Sequence, residues 1–417
     1  MKLVLTTFLI IFLSFYSKSD APTLNQWVYY ELVRFDTRFE QGDLKEAEEI
    51  LFGLYEQNWR RDSYDKAVIA RTFGFYLIQQ ERYDEGFEKL LVSYETGAFP
   101  LEEQARLVVT ISQLYAFKKQ LEKSITFLED YLSEVGKRVS KIPNIGEVYG
   151  MLALAYAQKE DFDTAYKHIA SAVKYSGFRE DWYKLKFAIE YTKGLYLEAQ
   201  ESAFMLVKFK PDVKRYYIQL SAIYNILEKN DLALATLEVS YLKNLLDKPD
   251  DFLNLSNFYL YNQNPANSAQ LLEEKLDKGE IDATDNANLK LLSDAWLYAK
   301  DRSKSVVALE KAIDNEYDEE LLIQLIDVAF FSFMWEKVIN AYDLAKQNEI
   351  DTTGKIDLIY AISNIELRNY TKALTLLKTM TEHETYGDQA TSWMEYLNTI
   401  IESVSYTHLT LPTICSV

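Results

Sequence analysis

The chain has 417 residues, and its 45 Lys and Arg stand against 64 Asp and Glu, which gives a formal net charge of −19. This acidity argues against binding to nucleic acid, which needs clustered cations, and against a peripheral anchor on anionic lipid. Pro and Gly number only 7 and 13, so hairpins, Gly-rich phosphate loops and long linkers have little room, and the chain should be mostly helical. The single cysteine, Cys415, excludes an intramolecular disulfide and a cysteine-based zinc site.

The first residues have the layout of a secretory signal peptide. A positive start at Met1 and Lys2 precedes the apolar stretch Leu3–Leu13, and Ser17 and Ser19 offer small residues for cleavage. The alternative is a retained membrane anchor, but the apolar stretch is shorter than the roughly 20 residues that span a bilayer. We therefore expect residues 1–19 to be a cleaved leader and the mature protein to be periplasmic, without stable membrane insertion.

A triplet of residues recurs along the rest of the chain, with a small residue at +3 and an apolar residue at +7 from an aromatic residue or Leu. These offsets share one face of a helix. The clear copies are Leu44/Ala47/Leu51, Tyr83/Gly86/Leu90, Leu121/Ser124/Leu128, Phe162/Ala165/Ile169, Tyr196/Ala199/Ala203, Leu232/Ala235/Val239, Trp335/Val338/Tyr342 and Tyr370/Ala373/Leu377. With weaker copies at Pro265 and Arg302, ten copies recur about every 36 residues.

A second pattern precedes most triplets: a large apolar residue, a small residue and, four positions after the first, an aromatic residue. The small residue lets a neighbouring helix approach, and the aromatic residue fills the space beside it. Examples are Ile111/Ser112/Tyr115, Leu152/Ala153/Tyr156, Leu220/Ser221/Tyr224, Leu255/Ser256/Tyr259 and Leu292/Ser293/Trp296. Short polar turns such as 159–161 separate the two patterns, so each unit should contain two helices.

This two-helix unit resembles the tetratricopeptide repeat (TPR), and in one unit Ala199 and Pro211 have the consensus separation of 12. The resemblance implies an all-α fold, a right-handed α-solenoid of about ten TPR-like helix-turn-helix repeats over residues 24–400. Departures exist, since Pro265 and Arg302 stand where an aromatic residue is expected. The spacing also lengthens in the first units, which predicts longer turns, for instance around Val139–Gly146.

The end of the chain divides into a predicted helix and a predicted tail. Residues 388–401 place Trp393, Tyr396, Leu397 and Ile400 on one helical face and should cap the last repeat. Residues 403–417 contain no Asp, Glu, Lys or Arg, and they resemble translated vector sequence. We expect a non-native or disordered tail there.

Residues for catalysis are scarce. Only three histidines occur, His168, His383 and His408, and no zinc, P-loop, dinucleotide or nucleophile-elbow motif is present. His168 should be an exposed helix residue. The acidic clusters lack the spacing of a calcium loop. The sequence therefore predicts a protein that is not an enzyme and has no metal or cofactor.

The TPR resemblance also implies a binding surface, because the first helix of each repeat lines the concave side in that family. Carried over repeat by repeat, the groove residues are Arg71, Phe75, Arg106, Gln113, Phe117, Glu147, Gln158, Tyr191, Asn225, Asn257, Tyr261, Asp294 and Tyr298. The alternative for Phe75 and Phe117 is packing against the next repeat. A protein partner with a basic or extended segment would suit the acidic chain.

Several segments resemble the periplasmic TPR proteins associated with TonB–ExbB–ExbD systems of gammaproteobacteria. They are 150–159, 182–185, 233–238, 288–296 and 393–397. The resemblance implies a scaffold that is an accessory of TonB-dependent energy transduction or of iron and siderophore uptake, with TonB-system components as partners. The alternative is a TPR scaffold for envelope polysaccharide export or outer-membrane assembly. An enzyme that uses its repeats for docking is disfavoured, because the repeats account for nearly all residues.

Overall fold

The structure, a computed structural model, describes residues 22–57 and 63–409, with side chains as far as Glu402. These residues form 21 α-helices and one short 3-10 helix, without strands. The predicted leader, residues 1–19, and residues 410–417 of the predicted tail lie outside the described residues.

Twenty of the helices pair into ten hairpins, in each of which a first helix packs against a second helix. The first helices are α1 (Gln26–Glu40), α3 (Tyr64–Gln79), α5 (Leu101–Phe117), α7 (Ile145–Gln158), α9 (Glu180–Thr192), α11 (Lys214–Ile226), α13 (Pro249–Tyr261), α15 (Asn286–Tyr298), α17 (Glu319–Phe331) and α19 (Lys355–Glu366). The second helices are α2 (Leu44–Tyr55), α4 (Tyr83–Glu95), α6 (Leu121–Val135), α8 (Phe162–Ser176), α10 (Tyr196–Phe209), α12 (Asn230–Leu242), α14 (Pro265–Asp277), α16 (Arg302–Asn315), α18 (Trp335–Gln347) and α20 (Tyr370–Met380). The predicted fold class, an all-α solenoid of helical-hairpin repeats, is confirmed.

Nine second helices begin at the first residue of a predicted triplet, and the +3 and +7 residues of those triplets are buried. The exception is α12, where the prediction was wrong by two residues. Ala233 and Leu237 are buried there, whereas Ala235 and Val239 of the predicted triplet are exposed. The error arose because α12 is apolar on both faces, so periodicity alone does not identify the buried face.

Small residues mark the point where the two helices of a hairpin cross, as the second sequence pattern predicted. The two residues at the crossing are 12 positions apart, and in several hairpins both are small. The Ser256 and Ser268 hydroxyls are 2.7 Å apart, and a Cβ built on Gly74 would lie only 2.9 Å from the carbonyl oxygen of Gly86. A larger side chain at such a crossing would push the helices apart.

The turn within each hairpin is the same in all ten. Three residues join the two helices, and the middle one has a positive φ, between 56° and 80°. These middle residues are Gly42, Glu81, Lys119, Glu160, Gly194, Glu228, Gln263, Lys300, Phe333 and Arg368. The spread in repeat length therefore arises elsewhere, for example at the 3-10 helix Gly136–Lys141 between α6 and α7, where the sequence predicted a longer connection.

The chain divides into two compact units, residues 1–211 and residues 212–417. Helices α1–α10 belong to unit 1 and the remaining helices to unit 2. The prediction of one solenoid over residues 24–400 stays a prediction. Helix α21 (Gly387–Leu409) packs on α20 and α19 and buries Leu397. It begins one residue before the predicted capping helix and continues into the predicted tail, whose origin stays a prediction.

Candidate functional site

Large apolar side chains are exposed at the last residue of four successive first helices in unit 2. Ile226, Tyr261, Tyr298 and Phe331 end α11, α13, α15 and α17, and their exposed fractions are 41%, 67%, 68% and 58%. We call the three aromatic members Tyr261, Tyr298 and Phe331 the aromatic row. Large apolar groups in a repeated exposed position are typical of a binding surface.

Phe333 is a further exposed aromatic residue, in the same hairpin as Phe331. Its side chain is 75% exposed and lies edge-on to Trp335, with the ring centres 5.5 Å apart. It occupies the positive-φ position of the turn, with φ of 60°. The other nine hairpins hold Gly or a polar residue there. A bulky residue in this conformation is strained, and such strain is common at binding sites.

A cleft of about 490 Å³ lies between α15 and α17, beside the row. Its apolar lining comes from Leu297, Ile323, Val328 and Phe331. Its polar lining comes from Arg302, Glu320, Gln324 and Asp327. Ligand-binding sites commonly combine apolar lining with a few polar groups in this way.

The polar groups around the cleft are held in place by neighbours on adjacent first helices. The Lys290 ammonium lies 2.6 Å from a Glu320 carboxylate oxygen, and this hydrogen bond raises the pKa of Lys290. The Gln324 amide donates to Asp294 across 2.9 Å. These contacts restrict the conformations of Glu320 and Gln324 before any ligand arrives.

A second cleft, of about 510 Å³, lies beside Tyr261. The turn between α11 and α12 and the start of α12 supply one side, including Glu228 and Asp231, and Asn262 and Gln263 supply the other. The aromatic row thus borders a cleft at Tyr261 and another at Phe331.

The predicted groove residues of unit 1 are mostly engaged with their own neighbours. The Arg71 guanidinium pairs with Glu103 at 2.7 Å and lies over the ring of Phe99. Phe75 is partly buried against the core. Arg106 is exposed and pairs with Glu102.

The other predicted residues of unit 1 vary in exposure. Gln113 and Gln158 are exposed. Glu147 pairs with Arg179 at 2.6 Å. Phe117 is 57% exposed, with its ring 5.2 Å from that of Tyr83, and Tyr191 is 47% exposed beside Tyr196.

In unit 2 the predicted residues Tyr261 and Tyr298 belong to the aromatic row, and Asp294 accepts a hydrogen bond from Gln324, which lines the cleft between α15 and α17. Asn225 and Asn257 are exposed on α11 and α13. Sequence reasoning missed Ile226, Phe331 and Phe333. The sequence held a signal for the ends of the first helices, because the last residue of every first helix lies four positions before the start of its second helix.

The side chains of two histidines, His168 and His383, are described by the structure, and both contact neighbouring residues. His168 is half-buried, not exposed as predicted, and its ring stacks on those of Tyr149 and Tyr156 at 6.1 and 5.6 Å. Burial lowers the pKa of His168, which favours its neutral form. The Nδ1 atom of His383 accepts hydrogen bonds from the backbone N–H groups of Thr385 and Tyr386. Among the described residues, no three His, Cys, Asp or Glu side chains are grouped to hold a metal ion.

No helix within residues 22–57 and 63–409 combines the length and the apolar character that a transmembrane span needs.

Comparison with known proteins finds likenesses to solved structures only. No family model and no curated protein matches the sequence. A TPR protein from Parabacteroides merdae is 10% identical and aligns with 63% of this chain and 98% of its own, with a TM-score of 0.36. The C-terminal part of a TPR protein from Cytophaga hutchinsonii is 12% identical over 71% of this chain and 98% of its own (TM-score 0.39).

YrrB, a TPR protein with an unusual peptide-binding site, is 14% identical over 52% of this chain and 89% of its own, with a TM-score of 0.29. Likenesses this distant say nothing about the function of this chain.

Proposed function

We propose that the chain is a non-enzymatic scaffold that binds an extended segment of a partner protein along the aromatic row. The observation that carries the proposal is the repeated exposure of Tyr261, Tyr298 and Phe331 at one position of successive hairpins. Tyr and Phe give a large contact area for little loss of side-chain freedom, and they dominate the binding energy of many interfaces.

The cleft beside Phe331 suggests how such a segment is held. An apolar side chain of the partner enters the cleft between α15 and α17, which Leu297 and Val328 help to line. Its main chain meets two polar groups that line the cleft: Gln324, which is hydrogen-bonded to Asp294, and Asp327, which pairs with Lys355 at 2.7 Å. Rigid polar groups lower the entropic cost of binding.

The partner is proposed to be a component of a TonB-type system in the periplasm. Three features of the sequence support this: the leader-like residues 1–19, the resemblance of five segments to TonB-associated TPR proteins, and the net charge of −19. A periplasmic Pro- and Lys-rich stretch would be attracted to an acidic chain.

Site-specific photo-crosslinking in intact cells tests the proposal. A photoreactive amino acid at Tyr298 is expected to capture a TonB-system component. One at Phe52 on α2, which is 57% exposed but outside the row, serves as the matched control and should not. Capture of export or outer-membrane assembly proteins from Tyr298 would favour the alternative scaffold role, and equal capture from both positions would contradict a binding site at the row.

Removal of the row gives a quantitative test once a partner segment is known. The triple variant Tyr261→Ser, Tyr298→Ser, Phe331→Ser should weaken binding by about 100-fold or more, because each exposed aromatic anchor contributes about 1–2 kcal/mol. The midpoint of thermal unfolding should change little, since these side chains are mostly exposed already. Unchanged affinity in the folded triple variant would place the site elsewhere.

A further inference from the structure

Helix α12 in unit 2 presents a row of apolar residues to solvent. Leu232, Val239 and Leu242 are 49%, 45% and 77% exposed, and Ala235 is exposed as well. Their spacing of three, four and three residues keeps them on one face of the helix. We call these four residues the α12 stripe. The opposite face is also apolar and packs in the core through Ala233 and Leu237.

The repeat itself does not require this stripe, because the other second helices of unit 2 hold mainly polar residues at the same four positions. The equivalent residues are Asn267, Gln270, Glu274 and Asp277 in α14; Lys304, Val307, Lys311 and Asp314 in α16; Lys337, Asn340, Leu344 and Gln347 in α18; and Lys372, Thr375, Thr379 and Glu382 in and after α20. A helix that is apolar on both faces is expected to be covered on both. The stripe is therefore an apolar surface that packing within unit 2 leaves exposed.

We propose that the stripe is covered by α12 of a second copy of the chain, packed antiparallel about a two-fold axis near Leu237. In that register Leu232 faces Leu242 of the second copy, and the small Ala235 faces the larger Val239, so the two stripes interdigitate. A two-fold axis repeats each contact, and thus the same four residues form both sides of the interface.

The charges at the two ends of α12 select the antiparallel arrangement. Asp231 at the start of the helix faces Lys243, just after its end, in the second copy, and both residues are exposed. In a parallel arrangement Asp231 would face Asp231, and Lys243 would face Lys243, which is unfavourable. The Lys243 ammonium is also 3.5 Å from Asp212 of its own chain, a contact loose enough to be shared.

The dimer should be reversible. A single pair of helices covers less than the roughly 1,200–2,000 Å² of a standard stable interface. A dissociation constant in the range of about 1–100 µM is expected for an apolar contact of this size.

Sedimentation equilibrium on the purified full chain tests the proposal. The wild-type protein should dimerise with concentration, and Val239→Glu combined with Leu242→Asp should raise the dissociation constant at least about tenfold. These substitutions introduce the residues that α14 carries at the same positions, so the hairpin should still fold; circular dichroism checks this. Gln270→Glu on α14 is the matched control and should leave the dimer unchanged.

A charge exchange tests the antiparallel register. Asp231→Lys and Lys243→Asp should each weaken the dimer, and the double exchange should restore it. A wild-type chain that stays monomeric up to about 300 µM would overturn the proposal. A dimer that survives the Val239 and Leu242 substitutions, or a charge exchange without recovery, would overturn it as well.

Discussion

Gly150 on α7 lies where the indole of Trp182 on α9 leaves no space for a side chain. A Cβ at Gly150 would be 2.4 Å from Cζ2 of Trp182. Gly150→Ala should therefore lower the free energy of unfolding by about 2–3 kcal/mol, since the helices must separate or the indole must move. Gly53 on α2 has no neighbour within 4 Å of the position that a Cβ would take, and Gly53→Ala should raise stability by about 0.5–1 kcal/mol. Urea unfolding of both variants measures the two changes in the free energy of unfolding. Changes of the same sign would contradict the prediction.

Asp36 on α1 links stability to pH. Burial, and secondarily the charge of Glu40, raises the pKa of Asp36 to about 6 from its usual 3.8. The folded chain therefore holds a proton that the unfolded chain loses at lower pH, and the stability contributed by this proton is lost as pH rises from about 4 to 7.

Asp36→Asn should remove this dependence. The variant should be more stable than the wild type at pH 8 by about 1 kcal/mol, and the difference should shrink toward pH 4.5. Chemical unfolding at both pH values measures it, with the exposed Glu49→Gln as the control. A gain that is equal at both pH values would mean that the carboxyl of Asp36 does not titrate in this range.

At the scale of the element, the hairpin turn offers a matched pair of substitutions. Its middle residue is Lys300, with φ of 65°, in one hairpin and Gly194, with φ of 72°, in another. Lys300→Gly should stabilise the chain by about 0.5–1 kcal/mol, because glycine adopts a positive φ without strain. Gly194→Ala should destabilise it by about 1 kcal/mol, although the added methyl group meets no atom within 4 Å. A midpoint of thermal unfolding that shifts in the same direction for both variants would contradict this role of the turn.

The sequence predicts the hairpins well because one face of most second helices is apolar and the other is polar. The starts of nine second helices follow from that pattern. It fails at α12, where Leu232 and Val239 make the outer face as apolar as the inner one. Which face of a helix is buried depends on the neighbouring helices. The periodicity of one helix only approximates it.

The candidate site was harder to predict from sequence than the fold. The pattern of first helices yields Tyr261 and Tyr298 but not Phe331, because that hairpin lacks the small and aromatic residues at the usual positions. The positions of Arg71 and Glu147 in their repeats predict groove residues, but both side chains form ion pairs in the structure. Such pairs join residues about 32 positions apart, and no local pattern shows them.

At the scale of the whole molecule, internal ion pairs engage many of the cations. In unit 1 the pairs Glu48–Arg82, Asp84–Lys118, Glu122–Lys159 and Asp163–Lys193 each link one hairpin to the next. Lys and Arg number 45 against 64 acidic residues. The excess carboxylates thus attract cationic partners, and this attraction extends over about a Debye length.

The acidity of the chain and the aromatic row should contribute separately to the binding of a Lys- and Pro-rich peptide. The association rate should fall at least about tenfold between about 50 mM and 500 mM salt, because screening removes long-range attraction. Tyr298→Ala should keep the same dependence on salt and raise the dissociation rate by about tenfold, because the aromatic contact forms only after encounter. A peptide with Gln in place of Lys is the control and should associate slowly at every salt concentration. If salt left the association rate of the Lys-rich peptide unchanged, the acidity of the chain would have no part in choosing its partner.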